Sequence, residues 1–204
     1  NALPIVEWNL DKRYLRELDA GGVETIPTVW SEPGGEGAAV AELERLGWRQ
    51  IVIKPVVDLG AMNLVRVPVE MAERMLGHYE RPVMIQPYLE SVESAGELSV
   101  VFVAGERTHA LRKVPARGDF RVQPLYGGTH VAVEPSAEEI AAAERAVAIA
   151  PGDPLYARVD IVEGEGGRPL VIELELIEPS LYIDVHPPAA VALVDEMLAR
   201  VASG

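Results

Sequence analysis

Two short stretches repeat one arrangement: Arg158-Val159-Asp160 and Glu173-Leu174-Glu175 each set charged side chains two residues apart. In an extended strand, residues i and i+2 share a face. The stretch 170–176 (LVIELEL) therefore turns both carboxylates one way and Ile172, Leu174 and Leu176 the other. The stretch 156–162 (YARVDIV) turns Arg158 and Asp160 one way and Ala157, Val159 and Ile161 the other. Joined through the Gly-rich EGEGGR, they read as an antiparallel hairpin that gathers Arg158, Asp160, Glu173 and Glu175 on one surface. Carboxylates so close raise one another's pKa, and a divalent cation relieves the repulsion. Oxygen donors without His or Cys select a hard ion, Mg²⁺ or Mn²⁺, over zinc. The competing reading is a plain solvated acidic face. Arg158, placed to hold a phosphate oxygen beside an ion, adds weight to the metal.

Lysine usage is the second unusual feature. Of 18 basic residues only Lys12, Lys54 and Lys113 are lysine. A compact ammonium meets a phosphate as a point charge, a task for which arginine is not equivalent. The alternative is a coding bias that leaves three lysines by chance. Lys54 ends the apolar run Ile51-Val52-Ile53 just before Pro55, so its ammonium must reach water or an anion. Lys113 ends a similar strand-like run, and Lys12 opens a helix whose dipole it opposes. The stretch 84–89 (MIQPYL), followed by Gly96-Glu97, suits an adenine slot. There, strand-end backbone groups would read the base edge and Glu97 would accept ribose hydroxyls. A plain connection between two lobes explains that stretch equally well.

These residues need elements to hold them. Apolar spacing, Ser and Pro starts and Gly stops predict helices over 11–20, 38–47, 68–79, 136–150 and 188–202. Strands are expected over 25–30, 49–55, 64–67, 83–89, 156–162 and 169–177, with two more in 97–115 joined at Ala104-Gly105-Glu106. Residues 115–130 (PARGDFRVQPLYGGTH) fit neither period and read as a long functional surface loop. The fold class is α+β, with antiparallel strands dominating the second half and a junction near Pro87–Gly96.

The composition closes off other chemistries. The chain has 204 residues and a net charge of −14, which disfavours nucleic acid and anionic membranes as partners. Zero cysteines exclude disulfides, zinc thiolates and cysteine nucleophiles, and the four histidines show no metal-ligand spacing. No apolar run approaches the ~20 residues of a membrane span, and no leader opens the chain, so the expected location is cytoplasmic. The start at Asn1 rather than Met reads as a fragment or a trimmed chain.

The order of these pieces resembles the ATP-grasp ligases, especially glutathione synthetases and D-alanine–D-alanine ligases, over residues 10 to 185. The resemblance implies an ATP-grasp fold of two lobes with the nucleotide between them: an N-terminal lobe, 1–87, with its flap region in 24–87, and a C-terminal lobe, 88–204, with the metal site. The domain that usually precedes these lobes is expected to be absent. By the same resemblance Lys12 and Lys54 would hold α- and β-phosphates, Gln86, Tyr88 and Leu89 would line adenine, and Glu97 would bind ribose. Lys113 would sit near the γ-phosphate, and Asp160, Glu173 and Glu175 would hold two Mg²⁺ ions with Arg158 beside the transferring phosphoryl group. Arg121, Gly127 and Gly128 would handle the acyl substrate. The implied activity is ATP-dependent joining of a small-molecule carboxylate to an amine through an acyl phosphate, in a chain that could be a homo-oligomer. A small-molecule kinase and a non-catalytic nucleotide-binding module are the alternatives on the same scaffold. Two positions depart from the pattern: the flap at 56–63 (VVDLGAMN) keeps only Gly60, and Glu175 stands where many members have Asn.

Overall fold

A computed structural model describes residues 1–58, 63–116, 121–122 and 127–203. The chain runs α1 (Leu3–Leu10), α2 (Tyr14–Ala20), β1 (Val29–Ser31), α3 (Glu36–Leu46), β2 (Gln50–Pro55), β3 (Val65–Pro68), α4 (Ala72–Leu76), β4 (Val83–Pro87), α5 (Ser91–Ser94), β5 (Glu97–Val103), β6 (Glu106–Val114), β7 (Thr129–Ala132), α6 (Ala137–Ile149), β8 (Tyr156–Glu163), β9 (Pro169–Glu175) and α7 (Pro188–Ser203). Among the described residues no helix is long and apolar enough to cross a membrane.

The chain forms two compact units. Residues 26–90 make one, and residues 1–25 with 91–204 make the other. The first holds a four-stranded antiparallel sheet in the order β1-β4-β2-β3. Its period-2 pattern sends Ile51 and Ile53 of β2 and Val83 and Ile85 of β4 to one face, where they bury with Leu43 of α3 and Leu76 of α4. Lys54 alternates out of that core. Helix α3 ends as its sequence directs, with Gly47 left-handed at φ 69° and its N–H bonded to the Leu43 and Glu44 carbonyls.

The second unit is built on a five-stranded antiparallel sheet in the order β7-β6-β5-β8-β9. Leu98, Val100, Val159, Ile161 and Leu174 are all buried, as are Ala142, Ala143 and Ala146 of α6, which packs on β8 and β9. Helix α6 opens on a complete capping box. The Ser136 hydroxyl accepts from the Glu139 N–H at 3.2 Å, and the Glu139 carboxylate accepts from the Ser136 N–H at 2.8 Å.

Four differences from the sequence reading have physical causes. Residues 1–25 fold with 91–204 instead of forming one lobe with 26–87, because Asn1, Asn9 and Tyr14 hydrogen-bond the outer edge of β9. The N-terminal region holds an additional helix, α1, with Pro4 in its first turn, and the following helix begins only at Tyr14. The strand expected over 25–30 shrinks to β1. Pro27 has no N–H to give a ladder, and Thr25 makes only an isolated bridge to Val171. The end of the expected 115–130 loop, in turn, is strand β7, paired to β6 with all four residues exposed, so no burial pattern marked it.

Candidate active site

Strand register assembles the site on one face of the five-stranded sheet. Arg158 lies opposite Glu175, and Asp160 opposite Glu173, across β8 and β9. On the other side of β8, Asp160 faces Ser99 and Arg158 faces Val101 of β5. Glu97, at the start of β5, faces Lys113 of β6. Each of these positions is two residues from the next along its strand, so the alternation that buries the α6 side presents a polar array on the other.

Asp160 is the hub. Its carboxylate is 2 % exposed and accepts from Arg158 through Nε at 3.0 Å and Nη2 at 2.8 Å. The Lys113 ammonium lies 3.2 Å away, and the Ser99 hydroxyl donates to the other oxygen. Burial alone would raise the Asp160 pKa, but Arg158 and Lys113 together outweigh it and hold the carboxyl well below its ordinary range. Lys113, itself buried, also pairs with Glu97. Burial pulls the ammonium down, Asp160 and Glu97 push it up, and the net is a lysine more firmly charged than usual. Glu97 shifts upward, through burial first and with Asp160's charge adding to it.

Arg158 also reaches Glu175 through Nη2, and its Nη1 donates to the Ser180 carbonyl at 3.1 Å. For Glu175, burial is the largest influence. Arg158 pulls against it, the charges of Glu173 and Asp160 add to the rise, and the carboxyl is pushed up to about 8. The three acidic side chains each offer an oxygen within 4.8 Å of the others. An all-oxygen trio of this kind fits Mg²⁺ or Mn²⁺.

Lys12, in the turn between α1 and α2, is brought to Glu173 at 2.6 Å. The backbone beneath that contact is unusually well anchored. Asn9 bonds both the Leu174 carbonyl and the Leu176 N–H, at 2.7 and 2.8 Å, and the Tyr14 hydroxyl accepts from the Leu174 N–H at 2.9 Å. Side chains thus complete the edge of the strand that carries both glutamates. Nothing in the spacing of Asn1, Asn9 or Tyr14 announced this, because the contacts span more than 150 residues of chain.

The other expected site residues fall in the unit 26–90 or in the loop 115–130. Lys54, Gln86, Tyr88 and Leu89 belong to the unit 26–90. Gln86 is buried and donates to the Thr28 hydroxyl at 3.0 Å. The Tyr88 N–H is taken by the Gln50 carbonyl, and the Arg66 guanidinium sits 3.4 Å from the centroid of its ring. Arg121, Gly127 and Gly128 are described, but 117–120 and 123–126 of the same loop lie outside the described residues, as do 59–62 of the flap, including Gly60.

Gly96 sets where β5 starts. It is left-handed at φ 76°, and a Cβ there would press into the Lys113 carbonyl oxygen. Gly96→Ala is therefore expected to cost at least about 1–2 kcal/mol from the dihedral alone. Urea unfolding measures it, and an unchanged midpoint would remove the argument that Gly96 fixes the Glu97–Lys113 pair.

Comparison with known proteins decides what this array belongs to. Residues 38–166 match the family model of the prokaryotic glutathione synthetase ATP-grasp domain. The cycloserine biosynthesis protein DcsG of Streptomyces lavendulae is 34% identical, over 97% of this chain and 72% of its own length. The chain belongs to the ATP-grasp ligases. The crystal structure of the D-cycloserine synthetase DcsG superposes with a TM-score of 0.86 at 31% identity, covering 98% of this chain and 72% of that one. D-alanine–D-alanine ligase from Bacillus anthracis, at 18% identity and a TM-score of 0.74 over 99% of this chain and 72% of its own, shares the fold. A glutathione synthetase of Prochlorococcus marinus (strain MIT 9313) is 26% identical over 85% of this chain and 56% of its own length. As an ATP-grasp ligase, the protein is an ATP-dependent enzyme that forms carbon–nitrogen bonds, in a family that uses ATP with a divalent metal.

Proposed function

We propose that this ATP-grasp ligase activates a small-molecule carboxylate as an acyl phosphate and passes the acyl group to an amine. The observation that carries the reading is the clustering of Asp160, Glu173 and Glu175 within 4.8 Å of one another, with Arg158 and Lys113 against Asp160. Phosphoryl transfer asks a protein for positioning and charge neutralisation rather than a nucleophile, and this site offers both. In the first step a substrate carboxylate oxygen attacks the γ-phosphorus of ATP and the bond to ADP breaks. In the second the amine attacks the acyl carbon, phosphate leaves, and the amine gives up a proton.

Arg158 steadies the transferring phosphoryl group and Lys113 the γ-phosphate. Lys12 and Lys54 hold the α- and β-phosphates; Gln86, Tyr88 and Leu89 take the adenine, and Glu97 the ribose. Arg121, Gly127 and Gly128 handle the acyl substrate. Asp160, Glu173 and Glu175 would hold two Mg²⁺ ions, which supply charge neutralisation for the phosphate oxygens. The substrates are expected to be small molecules, in keeping with the biosynthetic relatives named above.

Incubation with ATP, Mg²⁺, hydroxylamine and a panel of amino-acid carboxylates tests the reading. Acyl hydroxamate and ADP in equal amounts are expected. A stable phosphorylated product would mean a kinase, and ATP binding without ADP release a non-catalytic module. Glu175→Asn checks the metal assignment separately. Removing that carboxylate should raise the Mg²⁺ needed for half-maximal activity by roughly 10-fold. An unchanged Mg²⁺ titration would take Glu175 out of the metal set.

A further inference from the structure

The segment after β9 crosses the site face of the five-stranded sheet, carries His186 and meets His109 and His130. Tyr182 packs there on Val101 and Leu111, and takes a left-handed conformation at φ 47°, rare for a tyrosine. The His109 and His186 rings stack with centroids 5.4 Å apart. His130 meets the edge of the Tyr182 ring at 4.8 Å and lies 3.5 Å from Asp184. One contact fixes a proton: His109 Nε2 is 3.0 Å from the Leu181 carbonyl, which can only accept, so Nε2 carries the hydrogen. The Thr108 hydroxyl lies 2.9 Å from Nδ1 and 3.2 Å from the Val101 carbonyl, so its one hydrogen is shared between these two acceptors when the ring is neutral.

The same segment holds one end of Arg158. Nε and Nη2 are committed to Asp160 and Glu175, whereas Nη1 donates to the Ser180 carbonyl at 3.1 Å. Among the described residues none accepts from the second N–H of Nη1, which lies in the plane of the guanidinium. The Tyr182 ring lies 5.8 Å from the guanidinium carbon. Strand register puts His109, Val101 and Arg158 in one row across the sheet. The residue pinned by His109, Leu181, is flanked by the two that touch Arg158.

We infer that His109 is a positioning residue for Arg158: its hydrogen bond to the Leu181 carbonyl fixes the Ser180–Tyr182 strap, and the strap fixes the Nη1 end of the guanidinium whose remaining N–H is offered to the phosphoryl group. The inference rests on the proposed role of Arg158. His109→Phe keeps a ring beside His186 and removes the donor. His109→Gln keeps an N–H able to reach the Leu181 carbonyl.

Nitrogen-15 spectra of the arginine side chains read the restraint on Arg158 without any ligase chemistry. Wild type and His109→Gln should show two distinct, slowly exchanging Nη1 protons on Arg158, and His109→Phe an averaged Nη1 pair from free rotation about Cζ–Nη1, with the Nε and Nη2 signals, held by Asp160 and Glu175, unchanged. Unaltered Arg158 signals in His109→Phe would overturn the inference even if the ligase reading stands. In ADP release from MgATP with the acid that forms hydroxamate, His109→Phe should lower kcat about 10- to 100-fold with KM for ATP unchanged, and His109→Gln should stay within about threefold of wild type. Equal losses in both variants would mark His109 as merely structural and overturn the inference. If His109→Phe does not fold, His109→Leu carries the same comparison. In the Arg158→Lys background, His109→Phe should cause no further loss, and an additive loss would show that it acts elsewhere.

Discussion

Asp160→Asn should both destabilise the protein and stop its chemistry. Asp160 is the counter-charge to two buried cations, Lys113 at 4 % and Arg158 at 6 % exposure. The asparagine oxygen can still accept from Ser99 and Arg158, but it brings no charge, so both cations keep their desolvation cost with less compensation. Removing one partner of such a buried network costs about 3–5 kcal/mol. Activity should fall further than stability, by roughly 10²–10³-fold, because Asp160 is the charge that pairs Arg158 and Lys113, the two residues proposed above to act on the transferring phosphate. Thermal unfolding and ADP release, measured on the same preparation, separate the two losses. A variant that keeps a tenth of wild-type turnover would remove Asp160 from the reacting centre.

Arg158→Lys isolates chemistry from charge balance. The ammonium still faces Asp160, so the expected change in stability is small beside that of Asp160→Asn. Geometry is what it loses. One guanidinium currently spans Asp160, Glu175 and the Ser180 carbonyl in a single plane. A lysine nitrogen cannot hold the Asp160 pair with one edge and present an oriented N–H with the other. Arginines that stabilise a transferring phosphoryl group are worth 10³-fold or more, so kcat should drop by on the order of 10³ with little change in ATP binding. Single-turnover ADP formation and calorimetric ATP titration check both halves. If turnover survives while ATP binding weakens, Arg158 is a binding residue and its proposed role falls.

Legibility differed between the two halves of this site. Arg158, Asp160, Glu173 and Glu175 could be placed on one face because β8 and β9 are sequence neighbours joined by a short hairpin, where alternation and a local turn set the register. Lys113 and Glu97 were read separately, and only the register of β5 against β6 shows them facing each other. Ser99 was missed: a serine within ELSVVFV carries no signal until β8 lies beside β5. Strand β7 escaped because four exposed residues show no hydrophobic alternation. The histidines look scattered at 109, 130 and 186, and only the segment after β9, folding back over the sheet, draws them together.

By itself, then, the sequence determined the local pattern: which faces of the strands are polar, where helices α3 and α6 stop and start, and that the chemistry is that of carboxylates, lysines and an arginine without cysteine. Period-2 and period-3.6 alternation and capping act within a few residues, so they can be read from neighbours in the chain. Only the tertiary structure decided that residues 1–25 brace the edge of β9, that Lys12 meets Glu173, and that the Ser180 carbonyl holds Arg158. The first two join positions more than 150 residues apart and the third fixes a loop on a strand. Their partners are chosen by how whole elements pack, information that no local window of sequence contains.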